Sequence, residues 1–216
     1  MTDNQSGVGQ AYDAVAELYA TLFTGELASR DDELALIGEL VAAPPVVGGR
    51  PVGDLGCGPG EATALLGGLG LRAVGLDLSA GMLAQARRHR PDENFVRGSL
   101  LALPFADGSL GAVLARYSLI HFLPAELPAA LAELRRVLAP GGRLLLGFFA
   151  ADPALGDTDR PVPFDHKVAT AHRWPVDTLA ALLPPAGLIE TARTVRRPGP
   201  GERHPQATLL AVAAGR

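Results

Sequence analysis

The residues best placed to do chemistry stand in a short glycine loop. Residues 51–60 read PVGDLGCGPG, with Gly56, Gly58 and Gly60 at alternate positions. An apolar run ending at Asp54-Leu55 precedes them, and a helical pattern begins at Glu61. Glycine lets a chain turn sharply and lets a ligand approach the backbone closely. A helix start behind such a loop offers free N–H groups and the positive end of a dipole. The same three glycines would also serve an ordinary tight turn. A second carboxylate, Asp77, closes the next apolar run about 20 residues on, where it can accept hydrogen bonds from both hydroxyls of a ribose. Asp77 or Ser79 could instead cap the helix that follows.

The spacing narrows the ligand. A dinucleotide fingerprint needs G-x-G-x-x-G, and its third position here is Glu61, which disfavours a pyrophosphate. A Walker lysine is absent, because Lys167 is the sole lysine of the chain. Three histidines could move protons: His121 after an apolar strand, in SLIHF, and His166 and His172 in a polar segment with Asp165, Arg173 and Trp174. Their spacing fits no standard metal-ligand pattern, so no metal is expected. The single cysteine, Cys57, reads as a small packing residue and excludes an internal disulfide framework.

The elements that must hold these residues alternate strand and helix. Strands are predicted at Pro51–Leu55, Leu71–Leu76, Asn94–Arg97, Leu110–Ala115 and Arg143–Phe149. Helices are predicted at 10–24, Asp32–Ala43, Glu61–Leu69, Ala80–Arg88, Pro124–Leu138 and Val176–Leu183, with Pro44-Pro45 breaking the second. The apolar, non-alternating strands suit a parallel sheet covered on both faces. Leu188–Arg196 and Gln206–Ala213 are separated only by Arg197–Pro205, too short for a parallel crossover, so they should pair antiparallel. Ala150–Pro175 is long, Pro-rich and without a clear period, which suits a lid. Tyr12 and Tyr19 fall on one stripe of the first helix.

Composition bounds the class. The chain has 216 residues, a formal charge of −4 and 48% hydrophobic residues. That suits one packed domain. No basic field suggests a nucleic acid, no apolar run suits a membrane span, and the polar start does not resemble a secretory signal. A cytoplasmic protein, monomer or homodimer, is expected. Gly and Pro make about a fifth of the chain, concentrated partly in the Gly56–Gly60 loop, Pro140–Gly142 and Pro198–Gly201. Cations at Arg87, Arg88 and Arg90 read as a solvated helix end.

DLGCGPG, then GLDLSAGMLAQAR, then LPFADGSLGAVLARYSLIHF, then LRRVLAPGGRLLLGFF resembles the class I S-adenosylmethionine-dependent methyltransferases, over about Tyr12–Phe149. The resemblance implies a Rossmann-like α/β fold. Its seven-stranded sheet would have order 3-2-1-4-5-7-6, with strand 7 antiparallel and helices on both faces. It further implies one methyltransferase domain over 1–216, with an N-terminal helical cap at 1–45 and a lid or substrate segment at 150–175. S-adenosyl-L-methionine would be the cofactor. Gly56, Cys57, Gly58 and Gly60 would line its methionine part, with Asp54 at its amino end. Asp77 would hold the ribose, and Leu78 and Met82 would flank the adenine. Ser99 and Leu100 stand where many relatives place an Asp toward the adenine amino group. Arg116 and Tyr117 would sit by the methionine end and the substrate, Tyr19 over the cofactor. Tyr12, Tyr117, His121, His166, His172 and Trp174 are the candidates for lining the acceptor, with His121 the candidate base. The expected activity is methyl transfer to O, N or C of a small metabolite, such as a natural-product precursor. RNA or protein methylation, cofactor binding without transfer, and nicotinamide chemistry are the alternatives.

Overall fold

The computed structural model describes residues 3–22, 27, 30–152, 154, 156, 159–199 and 201–215. Phe23 and Thr24 of the first predicted helix, four positions of the 150–175 segment (153, 155, 157 and 158) and Pro200 lie outside the described residues.

Helices α1 (Asp3–Leu22), α2 (Asp31–Val41) and α3 (Pro44–Val47) precede the sheet. Then come β1 (Val52–Leu55), α4 (Glu61–Gly68), β2 (Ala73–Asp77), α5 (Ala80–His89), β3 (Asn94–Arg97) and β4 (Leu110–Arg116). The chain continues through α6 (Leu127–Val137), β5 (Leu138–Phe149), β6 (Val162–Asp165), β7 (Thr170–Arg173), α7 (Val176–Ala180), β8 (Leu188–Arg196) and β9 (Gln206–Ala213). Seven strands form one sheet in the order β3-β2-β1-β4-β5-β9-β8. The first five are parallel, and β9 runs antiparallel to both β5 and β8. This is the fold and strand order expected, with β8 and β9 as the sixth and seventh core strands.

Burial explains the layers. All four residues of β1 and six of seven in β4 are buried. Their side chains alternate between two apolar clusters. Val113, Ala115, Leu144 and Leu146 pack with Leu127, Leu131 and Leu134 of α6 on one face. Ala112, Leu114 and Leu145 pack with Leu36, Ile37 and Leu40 of α2 on the other. A strand covered on both sides needs apolar residues at every position, which removes the alternation of a half-exposed strand.

Local rules failed where distant contacts decide. The prolines expected to break the chain after α2 open α3 instead, because proline is tolerated in a first helical turn. Helix α1 begins seven residues earlier than its periodicity suggests, despite Gly7 and Gly9. A side chain at Gly9 would meet Leu78 Cγ at 3.2 Å, so glycine permits close seating there. Helix α7 stops at Ala180, short of the predicted Leu183. Inside Ala150–Pro175 the structure has an antiparallel hairpin, β6 with β7. It is fixed from outside: the His172 N–H donates to Ile120 O at 2.8 Å and the Trp174 N–H to Phe149 O at 2.9 Å.

Candidate active site

Above the carboxyl ends of β1, β2, β4 and β5 lies a cavity of about 370 Å³. Its floor is the glycine loop. Gly56 has φ 86°, and a Cβ there would lie 2.2 Å from Ser118 Cβ, so the loop can cross the end of β4 only as glycine. Gly58 has φ 53°, and nothing lies within 4 Å of where its side chain would start. Its open side is therefore available for a ligand. The Gly58 N–H donates to Asp77 Oδ2 at 2.8 Å, and the Ser79 N–H to Oδ1 at 2.8 Å. Asp77 thus ties the loop to the end of β2. Burial raises its carboxyl above the usual range, against these backbone hydrogen bonds.

Asp54 is the second acid, at 3% exposure. Burial pushes its carboxyl up to about 6, opposed by the Thr63 hydroxyl, which donates to Oδ2 at 2.7 Å, and by Arg116. Burial also pushes the Cys57 thiol well up, which leaves it a packing residue. Ser79 caps α5 by accepting from the Met82 N–H at 3.0 Å, while its hydroxyl donates to Asp13 Oδ1 at 2.6 Å. Asp13 also accepts from the Gly81 N–H at 2.8 Å. A carboxylate of α1 therefore satisfies the positive end of α5. No spacing pattern singles out Asp13 in the sequence.

A polar wall closes the side beyond β4. Arg116 Nε donates to Glu33 Oε2 at 2.7 Å, with side chains only 16% and 6% exposed. Tyr117 has φ 52°, the only positive φ among described non-glycine residues. That uncommon conformation directs its hydroxyl to Gln206 Oε1, with Glu33 Oε1 3.3 Å away. Arg30 reaches Gln206 Oε1 at 3.0 Å and Glu202 Oε1 at 3.1 Å, and Arg196 binds both oxygens of Glu202. Glu33, Glu202 and Gln206 were missed in the sequence. A lone Glu on a helix reads as solvated, and only the fold brings α2 to the β8–β9 turn.

The opposite end is aromatic. His121 is 4% exposed, with Nδ1 2.9 Å from Thr170 O and Nε2 2.8 Å from Tyr12 Oη. A carbonyl oxygen only accepts, so Nδ1 carries the proton and Nε2 accepts from the Tyr12 hydroxyl. Burial lowers the His121 pKa, partly offset by that bond to Thr170. The ring of His166 stands edge-on to His121 at 5.3 Å, and Phe164 lies 5.3 Å from Phe149 and 4.6 Å from His204. Burial, with help from His121 and Lys167, lowers His166 to about 4.

Most of the predicted residues meet here. Tyr12, Tyr19, Asp54, Gly56, Cys57, Gly58, Asp77, Leu78, Met82, Ser99, Leu100, Arg116, Tyr117, His121 and His166 line the cavity. Three do not. Gly60, the N-cap of α4, faces Phe95 instead, where a Cβ would come within 2.8 Å. Trp174 is 3% exposed and packs in the main core. His172 is buried beside it, its backbone bonded to the loop that carries His121. Ser99 Oγ accepts from the Leu101 N–H at 3.2 Å, so part of its bonding capacity is spent on the turn.

Known proteins resemble this chain over part of its length in sequence and over nearly all of it in fold. A family model described as "Methyltransferase domain" matches residues 53–146. A demethylmenaquinone methyltransferase of Beutenbergia cavernae is 36% identical over 164 residues, covering 65% of this chain and 68% of that protein. One of the same description from Renibacterium salmoninarum is 40% identical over 111 residues, 51% of this chain and 46% of its own length. Among solved structures, a magnesium protoporphyrin IX methyltransferase of Synechocystis PCC 6803 with bound S-adenosylhomocysteine superposes with TM-score 0.75. It is 18% identical, covering 98% of this chain and 100% of its own, a likeness of fold alone.

Proposed function

This chain belongs to the class I S-adenosylmethionine-dependent methyltransferases, and from that premise we propose that it methylates a small aromatic or conjugated acceptor bearing an ionisable O–H or N–H. The supporting observation is a cavity with two unlike ends. One end has backbone amides and buried carboxylates, the other phenyl rings and neutral imidazoles.

The first end fits the cofactor. Two carboxylates, Asp54 before the glycines and Asp77 at the end of β2, with no lysine in the loop, suit a cation better than a phosphate, and Gly58 is open on its cavity side. Asp77 would hold the ribose hydroxyls, Gly56–Gly58 the methionine part and Asp54 the amino group. Leu78 and Met82 would enclose the adenine, with Ser99 and Leu100 at its edge. Arg116 would face the carboxylate, held in place by Glu33. When bound, this group supplies an activated methyl on a sulfonium.

The other end fits an acceptor. The whole cavity, both ends together, measures about 370 Å³, within the range of small-molecule sites. Offset and edge-to-face contacts with Phe149, Phe164 and His166 favour a flat ring. Two of the relatives are named as demethylmenaquinone methyltransferases, which supports a quinone-type acceptor. Residues 1–45 and 150–175 would then be the cap and lid of one domain spanning 1–216, excluding water above the reacting atoms. His121 is the group that would take the acceptor's proton, because its Nε2 faces the cavity wall and carries no hydrogen.

Calorimetry with S-adenosylhomocysteine, then product detection with S-adenosylmethionine and a panel of hydroxyarenes and hydroxyquinones, tests the reading. Binding followed by methylated product supports it. Absence of binding sinks it, and binding without product from any acceptor favours the non-transferring alternative.

A further inference from the structure

Both nitrogens of His121 are engaged. Nδ1–H donates to Thr170 O at 2.9 Å, and Nε2 accepts from Tyr12 Oη at 2.8 Å. An acceptor therefore cannot hand a proton to Nε2 without displacing Tyr12 or going through it. The two partners come from the two segments that cover the cavity, α1 and β7, 109 and 49 residues away in sequence. Both covers must be seated before the imidazole has a fixed tautomer and a partner.

We propose that Tyr12 is a catalytic residue, the group that meets the acceptor's hydrogen and relays it to His121. This rests on the methyl-transfer reading above. A phenol oxygen accepts while it donates, so Tyr12 can bond the acceptor O–H or N–H and Nε2 together. The acceptor's lone pair forms the bond to the methyl carbon as the S–CH₃ bond breaks, leaving its pair on sulfur. The acceptor's proton passes to Tyr12 Oη as the Tyr12 proton passes to Nε2. The products are a methylated acceptor, a neutral thioether and an imidazolium. The positive charge lost at sulfur reappears on His121, so the cavity's net charge is unchanged. The Thr170 carbonyl on Nδ1–H steadies that imidazolium. His121 later returns its proton to solvent.

Tyr12 otherwise has the look of a packing residue. Its ring stands edge-on to Tyr19 at 5.8 Å and to His121 at 5.5 Å. Tyr12→Phe keeps those ring contacts and removes only the hydroxyl, which separates packing from proton transfer.

The test uses the full chain with S-adenosylhomocysteine bound. Imidazole ¹⁵N spectra should show His121 with its proton on Nδ1. In Tyr12→Phe the Nε2 resonance should move toward that of a nitrogen accepting no hydrogen bond, with cofactor affinity within about threefold of wild type. With 1,4-dihydroxynaphthalene as acceptor, Tyr12→Phe and His121→Ala should each lower kcat roughly 100-fold or more. KM should change little, and the double variant should be no slower than either single, as expected of groups acting as a unit. An Nε2 resonance that ignores Tyr12→Phe overturns the relay, as do additive losses in the double variant. A large loss of cofactor affinity in Tyr12→Phe overturns it too, making Tyr12 a residue of cap packing. A wild type that binds S-adenosylhomocysteine and leaves the diol unmethylated counts against the acceptor class instead, and the resonance still decides the relay.

Discussion

The two ends of the cavity are built on different principles. The cofactor end draws most of its residues from one stretch, Asp54 to Leu100, where successive strand ends place them side by side. Its specific contacts are largely backbone groups, such as the Gly58 and Ser79 amides on Asp77. The acceptor end is assembled from α1, the loop after β4, the β6–β7 hairpin and the β8–β9 turn, and its surface is side chain. One end holds carboxylates raised by burial, the other imidazoles lowered by it. A backbone-built site is fixed once the sheet forms. A side-chain site assembled from distant segments can vary without disturbing the sheet.

The junction between the ends should be the most sensitive point. Glu33 and Arg116 form a nearly buried pair at the end of β4. Breaking such a pair strands a charge at a cost of about 3–5 kcal/mol. Glu33→Ala should lose stability of that order in urea unfolding, because Arg116 keeps its charge without a partner. Replacing both residues by Met should recover most of it. If Glu33→Ala costs less than about 1 kcal/mol, Arg116 is reaching water and the pair is no junction.

Next comes the cofactor end alone. Asp77→Ala removes the acceptor for two loop amides as well as the proposed partner of the ribose. S-adenosylhomocysteine binding should weaken by about 3 kcal/mol, the upper range for bonds to a charged group. Phe164→Ala, at the acceptor end, should leave that affinity nearly unchanged. Equal losses in a calorimetric titration would mean that the two ends are not separable.

The same division decided what could be read from sequence. The ends of β3, β8 and β9 fall where turn residues and apolar runs place them, because local preference and tertiary packing agree there. The glycine loop and Asp77 were legible because their spacing carries the geometry. The β6–β7 hairpin was not, since its two four-residue strands are fixed by the carbonyls of Ile120 and Phe149. Asp13, Glu33, Glu202 and Gln206 were missed because each joins the cavity wall through a partner far along the chain: Asp13 through Ser79, Glu33 through Arg116, and Glu202 and Gln206 through Arg30. His172 and Trp174 showed the converse, resembling a pocket cluster in sequence while serving to hold the hairpin down.

A smaller effect concerns Asp54. Its carboxyl is raised to about 6, mainly by burial, so the folded protein holds a proton that the unfolded chain releases near the ordinary value of 3.8. The stability this proton contributes is present below about 3.8 and fades as pH rises through about 6. A cationic amino group beside Asp54 favours the ionised form. Cofactor affinity should therefore strengthen by about tenfold between pH 5 and pH 7. Asp54→Asn should flatten that profile. A pH-independent affinity in the wild type would remove Asp54 from the cofactor end.

The smallest expected effect separates the ends most sharply, because acid should act on them in opposite senses. His166 is lowered to about 4 by burial first, and burial also lowers His121 and His172. For a histidine held neutral, the unfolded chain binds protons more readily than the folded one. Its stabilising contribution is present above the ordinary value of 6.5 and is lost as pH falls toward 4. All three histidines belong to or touch the β6–β7 hairpin, so protonation should loosen that hairpin before the sheet. Over the same interval Asp54 takes up the proton it favours when folded, which steadies the glycine loop. Hydrogen exchange corrected for intrinsic rates should show protection falling in 162–173 from pH 7 to pH 5, while 54–63 holds or gains. His166→Phe keeps an aromatic edge against His121 and Phe149 without a titrating nitrogen, so it should blunt the loss in the hairpin alone. If both segments loosen together, the cavity opens as one piece, and the independence of its two ends is wrong.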